Sequence, residues 1–217
     1  MRFLALLTAF GIAGAVVAET ATFDDLSEGS PTTVFTDGGI TFSNLFTDQP
    51  DGSTIFTIED ASGTYGGSPG FSPNNVLNFG GYAPGNTTSF APFTSFEMST
   101  GSVEDAMSLD LFIYDYRFPE EASNVGKTLT LEVYRDGSLV GSDSLTFTLH
   151  GEDLWYHDKL SLSGVEFDSA RLVASGSTNN LFFANVDNVR FGAVPEPATM
   201  LGLAVGAGLV LKRRRKA

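Results

Sequence analysis

The sequence predicts an all-β protein: a jelly-roll-type β-sandwich flanked by an N-terminal signal helix and a C-terminal hydrophobic helix. Three observations lead there. Apolar and polar residues alternate through most of the chain between Glu19 and Ala193, with no long apolar stripe of 3.6-residue period. Glycines and other turn residues punctuate that stretch at short spacing. The aromatic content is dominated by 19 Phe against a single Trp, the composition of a core built between two sheets.

The first element is a processing segment. Arg2 gives a positive start, Phe3 to Ala13 is almost wholly apolar, and Val16-Val17-Ala18 offers small and short residues before Glu19. Charge, short apolar run and small residues in that order predict a secretory signal peptide over residues 1–18, cut between Ala18 and Glu19. There is no Cys in the chain, so an exported body is held by core burial or bound metal and not by disulfides. About 175 residues follow before the tail, enough for a sizeable core.

The body, 19–193, reads as about nine short strands. Ile40–Phe46, Thr54–Ile58, Val76–Phe79 and Ser89–Met98 come first. In "MSLDLFIYDY", Met107, Leu109, Leu111 and Ile113 share one face, and Ser108, Asp110, Phe112 and Tyr114 share the other. "TLTLEVYRDGSLVGSDSLTFTL" is the clearest unit. Leu129, Leu131 and Val133 alternate with polar residues, Asp136-Gly137 supplies a tight turn, and a return strand carries Leu145, Phe147 and Leu149. Lys159–Leu162, Ala170–Ala174 and Phe182–Phe191 complete the set. "DASGTYGGSPGFSPNN", from Asp60 to Asn75, reads as a long loop.

Charge is segregated. All 26 acids lie between Glu19 and Glu196, against six cations in the same stretch. A body so acidic repels nucleic acid and anionic lipid and attracts divalent cations; the same acids also keep an exported protein soluble.

The last element starts at Val194. Val194-Pro195-Glu196-Pro197 precedes Ala198 to Leu211, fourteen residues without a charge, and then Lys212-Arg213-Arg214-Arg215-Lys216. A fourteen-residue helix spans about 21 Å, short of a hydrocarbon core of about 30 Å. The basic cluster is a stop-transfer signal that stays cytoplasmic. The prolines deny a helix any start before Ala198 and leave an extended peptide there.

This arrangement resembles the PEP-CTERM sorting signal of bacterial exported proteins. The resemblance rests on Pro195, Glu196 and Pro197, the short glycine-containing apolar run and the Arg-rich end. It implies recognition and removal of the tail by a membrane-embedded exosortase. The implied host is a Gram-negative bacterium making exopolysaccharide. The implied route is transient inner-membrane anchoring, then the cell surface or the extracellular matrix. An ordinary C-terminal anchor is the plainer alternative.

A second resemblance concerns the ends of the body. "TFDDLSEG", "GGITFSN" and "FFANVDNVRF" resemble the opening and closing of exported PEP-CTERM proteins, and also jelly-roll carbohydrate-binding modules. In those modules an acid near the first strand and an Asp in the last share a structural Ca²⁺, which implies Asp24 or Asp25 together with Asp187 as ligands here. The alternatives are a turn cap for Asp24-Asp25 and a polar edge-strand position for Asp187.

Catalytic motifs are weak. Gly66-Gly67-Ser68-Pro69-Gly70 matches G-x-S-x-G but lacks the strand-then-helix setting of a nucleophile elbow. His150 and His157, in "HGEDLWYHDKL", have no common zinc spacing, and a loop holding a partly buried Trp155 accounts for the segment as well. No carboxylate pair for glycoside hydrolysis can be nominated among 26 acids. The expectation is a non-enzymatic surface or matrix protein, structural or glycan-binding, with Tyr65, Phe71, Tyr82, Tyr114 and Tyr116 as sugar-contact candidates. A secreted polysaccharide-acting hydrolase is the alternative.

Overall fold

A computed structural model describes residues 18–29, 33–46, 56–79, 94–114, 124–148, 155–176, 182 and 184–192. The expected signal helix (1–18, apart from Ala18 itself) and the C-terminal hydrophobic helix lie outside the described residues.

Twelve strands and one short helix make up the described part. They are β1 (Glu19–Ala21), β2 (Phe35–Asp37), β3 (Ile40–Phe46), β4 (Thr57–Asp60), α1 (Ser62–Tyr65), β5 (Asn75–Phe79), β6 (Ser95–Ser99), β7 (Glu104–Tyr114), β8 (Thr128–Arg135), β9 (Ser138–Thr146), β10 (Trp155–Phe167), β11 (Ser169–Ser175) and β12 (Ala184–Phe191). They form two sheets. The first runs β10-β7-β12-β5-β4 with β1 also paired to β12; the second runs β2-β3-β6-β11-β8-β9. Every pairing between these strands is antiparallel.

Alternation puts one face of each sheet into a shared core. Leu109, Leu111 and Ile113 of β7 meet Val186 of β12 and Leu77 and Phe79 of β5. From the second sheet come Phe42, Phe96, Met98, Leu172, Leu129, Leu131 and Val133. The centre is aromatic. Phe35 stacks on Phe42 at 4.8 Å, and Phe56 stands edge-on to both Phe35 (5.1 Å) and Phe96 (5.7 Å). Each phenylalanine fully withdrawn from water contributes about 2–3 kcal/mol, which suits a chain lacking disulfides.

The Asp136-Gly137 hairpin forms as expected. Both residues have positive φ (50° and 76°), the geometry whose twist matches that of the flanking strands. β10 differs from expectation: Trp155, His157 and Asp158 belong to the strand, paired with β7 from Tyr114 onward, and not to a loop. A partner as long as β7 extends the ladder beyond what local alternation signals. The free edge of β10 faces β9, and Asp143 of β9 accepts the Ser161 N–H at 2.8 Å. On the opposite side, Gly29 bridges β4 through bonds in both directions with Ile58.

Candidate functional site

The outward face of the first sheet is the most chemically populated part of the described residues. Register places His157 opposite Phe112, Asn185 opposite Phe112 on the other side, and Asp187 opposite Asp110. Asn78 lies opposite Asn185 on β5. In a sandwich such a face meets solvent; here the segment between β4 and β5 folds across part of it. Tyr65 of α1 stacks on Phe112 at 4.2 Å and meets Trp155 edge-on at 5.1 Å. Phe71 meets both Tyr65 and Phe112 edge-on. Together with Ala61 and Val76 these rings make a second apolar cluster, which buries Phe112 almost completely.

Carboxylates and amides tie the segment down. Asp187 is fully buried and accepts the Ser72 N–H (2.8 Å), the Ser72 hydroxyl (3.0 Å) and the Asn188 N–H (2.6 Å). Asn188 donates its side-chain amide to the Gly70 carbonyl at 2.6 Å. Asp24 accepts the Asn75 N–H at 3.0 Å, and Asn75 donates in turn to the Leu26 carbonyl at 2.7 Å. Burial pushes the Asp187 carboxyl up to about 7, against the pull of these hydrogen bonds, and the negative charge of Asp24 adds to the push.

Asp24 and Asp187, 163 positions apart in sequence, are thus both tied to the same strap, Asp187 through Ser72 and Asp24 through Asn75. Asp25 stands exposed in the turn that follows β1. No group of three or more His, Cys, Asp or Glu side chains is placed to hold a metal among the described residues.

Beside the strap, Asp110 of β7 is buried between His157 of β10 and Arg190 of β12. His157 Nε2 lies 3.1 Å from Asp110 Oδ1, and Arg190 Nη1 lies 3.8 Å from Asp110 Oδ2. Arg190 also donates to Asn188 Oδ1 at 3.1 Å, linking this trio to the strap. Gly70 passes so close that a Cβ there would stand 2.4 Å from His157 Nε2 and 2.7 Å from Asp110 Oδ1. His157 and Arg190 each keep about a third of their side chains exposed, and Trp155 and Phe71 are half-buried. The result is an aromatic surface flanked by fixed polar donors.

Under the strap lies a second polar group. Asn78 donates to Glu59 Oε1 at 2.8 Å, and Asn185 donates to the Tyr65 hydroxyl at 3.2 Å. Burial raises the Glu59 carboxyl above its ordinary range, partly offset by hydrogen bonds from Asn78 and Asn185. The Tyr65 hydroxyl is raised by the same burial.

The expected sugar-contact residues divide. Tyr65 is 2 % exposed, so it cannot stack on a ligand: its ring packs against the sheet it covers. Phe71 remains partly exposed. Tyr82, Tyr116 and the side chain of Tyr114 lie outside the described residues, as does His150. Sequence reasoning missed Asp110, His157 and Arg190 as a unit because they come from three strands. Ser68 lies after α1 and before β5, the reverse of a nucleophile elbow, and its N–H caps the Tyr65 carbonyl at 2.7 Å.

At the chain's end, residues 193–216 match the family model of the PEP-CTERM protein-sorting motif. The chain therefore ends in a sorting motif that marks an exported surface protein with membrane-associated sorting. Pro195, Glu196 and Pro197 fall inside it. No helix among the described residues is long and apolar enough to cross a membrane; Ala198 to Leu211 lies outside them.

Comparison with curated proteins found no match. Among solved structures, the K1 cleaved adhesin domain of Lys-gingipain from Porphyromonas gingivalis W83 is similar at 12 % identity and TM-score 0.45, covering 82 % of this chain and 99 % of that one. The K2 cleaved adhesin domain of Lys-gingipain gives 12 % and 0.46, covering 82 % and 100 %. The CBM22-1 xylan-binding domain of Paenibacillus barcinonensis Xyn10C gives 12 % and 0.34, covering 81 % and 94 %.

Proposed function

We propose that this is a non-enzymatic component of the cell surface or exopolysaccharide matrix, and that it retains polysaccharide on the outward face of its first sheet. In this reading residues 1–18 are removed as a signal peptide, the tail anchors the chain briefly in the inner membrane, and an exosortase-type enzyme then processes it. The observation that carries the binding reading is Trp155, half-buried on the same strand face as His157, with His157 and Arg190 both fixed by buried Asp110. Sugars present apolar C–H faces beside hydroxyl groups. An aromatic surface next to immobilised polar side chains matches both at once.

The reading includes a structural Ca²⁺ at Asp24 and Asp187, with backbone carbonyls and water completing six to eight oxygens. A cation between them would offset the burial and mutual repulsion that raise Asp187. It would also hold the strap to the sheet, a use that fits a chain without Cys.

The deciding experiment incubates the exported protein with host exopolysaccharide and measures both retention and chain length. Retention of full-length chains, lost in Trp155→Ala and Arg190→Ala with folding intact, is the expected result. Shortened chains would mean a polysaccharide hydrolase instead. Neither retention nor shortening would end the polysaccharide reading.

A further inference from the structure

The last described strand is also a central one. β7 flanks β12 along one side, while β5 and then β1 flank it along the other. Every residue of β12 except Arg190 is buried. Phe191, 1 % exposed, packs against Phe167 at 5.8 Å and is the register partner of Glu19. The hydrogen bonding runs on to Gly192, whose N–H donates to the Ala106 carbonyl at 2.9 Å. The sorting motif begins at the next residue.

Only Ala193 and Val194 therefore separate the last described backbone bond of the sheet from Pro195. Fully extended, the chain from Gly192 to Pro195 reaches about 10 Å. Enzymes that cut or transfer peptides bind several residues of extended substrate through main-chain hydrogen bonds. Here the residues upstream of Ala193 already spend those groups within the sheet. Freeing them means breaking the Gly192–Ala106 bond, parting β1 from β12 and exposing the ring of Phe191.

We propose that the folded body restrains its own processing: cutting at the Pro-Glu-Pro segment is slow while the end of β12 is docked and fast while it is not. The order of export, folding and tail removal is then set by how firmly β1 and β7 hold Phe191 and Gly192. A chain cut during export loses its tail quickly; a chain that folds first is released slowly and stays at the membrane longer. The inference rests on the sorting motif and the strand order, not on any polysaccharide contact.

The structure supplies an independent way to loosen the clamp. Gly38, at φ +51°, lies against β1 so closely that a Cβ would stand 1.8 Å from the Thr20 carbonyl oxygen, so Gly38→Ala displaces β1. The test follows tail loss from the full chain by pulse-chase in the native host. Gly-Ser inserts of four and eight residues are placed between Gly192 and Ala193, alone and combined with Gly38→Ala. The inserts are expected to speed tail loss several-fold. Gly38→Ala is expected to speed it in the chain without an insert and to add nothing once the long insert is present. Equal rates with and without inserts would overturn the proposal, as would a Gly38→Ala gain that persists in full beside the long insert. A tail retained in every variant also overturns it. If Gly38→Ala is degraded before it can be followed, the insert series decides alone.

Discussion

Asp187 in the last strand accepts both the backbone N–H and the hydroxyl of Ser72, 115 residues earlier in the chain. The pair fastens the strap between β4 and β5 to the centre of the first sheet. Ser72→Ala removes one neutral donor to an acid that keeps two N–H partners, and should cost about 1 kcal/mol in urea unfolding. Asp187→Ala leaves the buried Asn188 N–H and the partly buried Ser72 N–H without their acceptor, and should cost about 3 kcal/mol.

The pH dependence of Asp187 has a definite sign. Its folded value is raised to about 7 from 3.8, so between those limits the native state binds more protons than the unfolded one. Stability contributed by the protonated form is complete below pH 3.8 and is lost as pH rises through 7. Relative to Asp187→Asn, wild type should lose at most about 4 kcal/mol across that window. If Ca²⁺ joins Asp24 and Asp187, millimolar Ca²⁺ raises the melting temperature at pH 7.5 and flattens the slope. EDTA reverses both, and Asp187→Asn responds to neither.

Gly70→Ala tests the seating of the strap against the candidate site. Its φ of +79° already disfavours a side chain, and the added Cβ would meet His157 and Asp110. A loss of about 1–3 kcal/mol is expected, together with weakened polysaccharide retention. Gly67→Ala, also at positive φ but with nothing within 4 Å of the added Cβ, should cost less and leave retention intact.

Lys127 gives the opposite pH slope. It is 3 % exposed, and burial lowers its ammonium from 10.5 to about 8. Between those values the unfolded chain binds the extra proton, so stability should rise with pH. The difference between wild type and Lys127→Met should grow by about 3 kcal/mol from pH 8 to 10.5, measured by urea unfolding.

Local signals carried much of the architecture. The alternation of Leu109, Leu111 and Ile113 and the Asp136-Gly137 turn are self-contained patterns, and both appear where expected. β1 and β2, three residues each, were not legible, because such short strands exist only through their partners. β4 runs on past the expected Ile58 to Asp60, since its pairing with β5 continues to Asn75; Thr54 and Ile55 lie outside the described residues. Phe112 read as an outward residue, and it is one; its burial comes from Tyr65 and Phe71, packed on it from a segment that composition marks as a loop. Only resemblance links Asp24 to Asp187 in the sequence, since no local pattern joins positions so far apart. The Asp110–His157–Arg190 trio joins three strands whose spacing in sequence carries no sign of it.

The pairing of Glu19 with Phe191 has a mechanical consequence. The first and last described strands end side by side, so tension applied between Glu19 and Phe191 would load the β1–β12 hydrogen bonds one after another, as in opening a zipper. Strands loaded lengthwise would share the force among all their bonds at once. A molecule held at both ends should yield at low force, starting at β1, and single-molecule pulling would register that step first. One held by the C-terminus alone carries no load across that seam, so losing its N-terminal tether would make the domain the sturdier of the two.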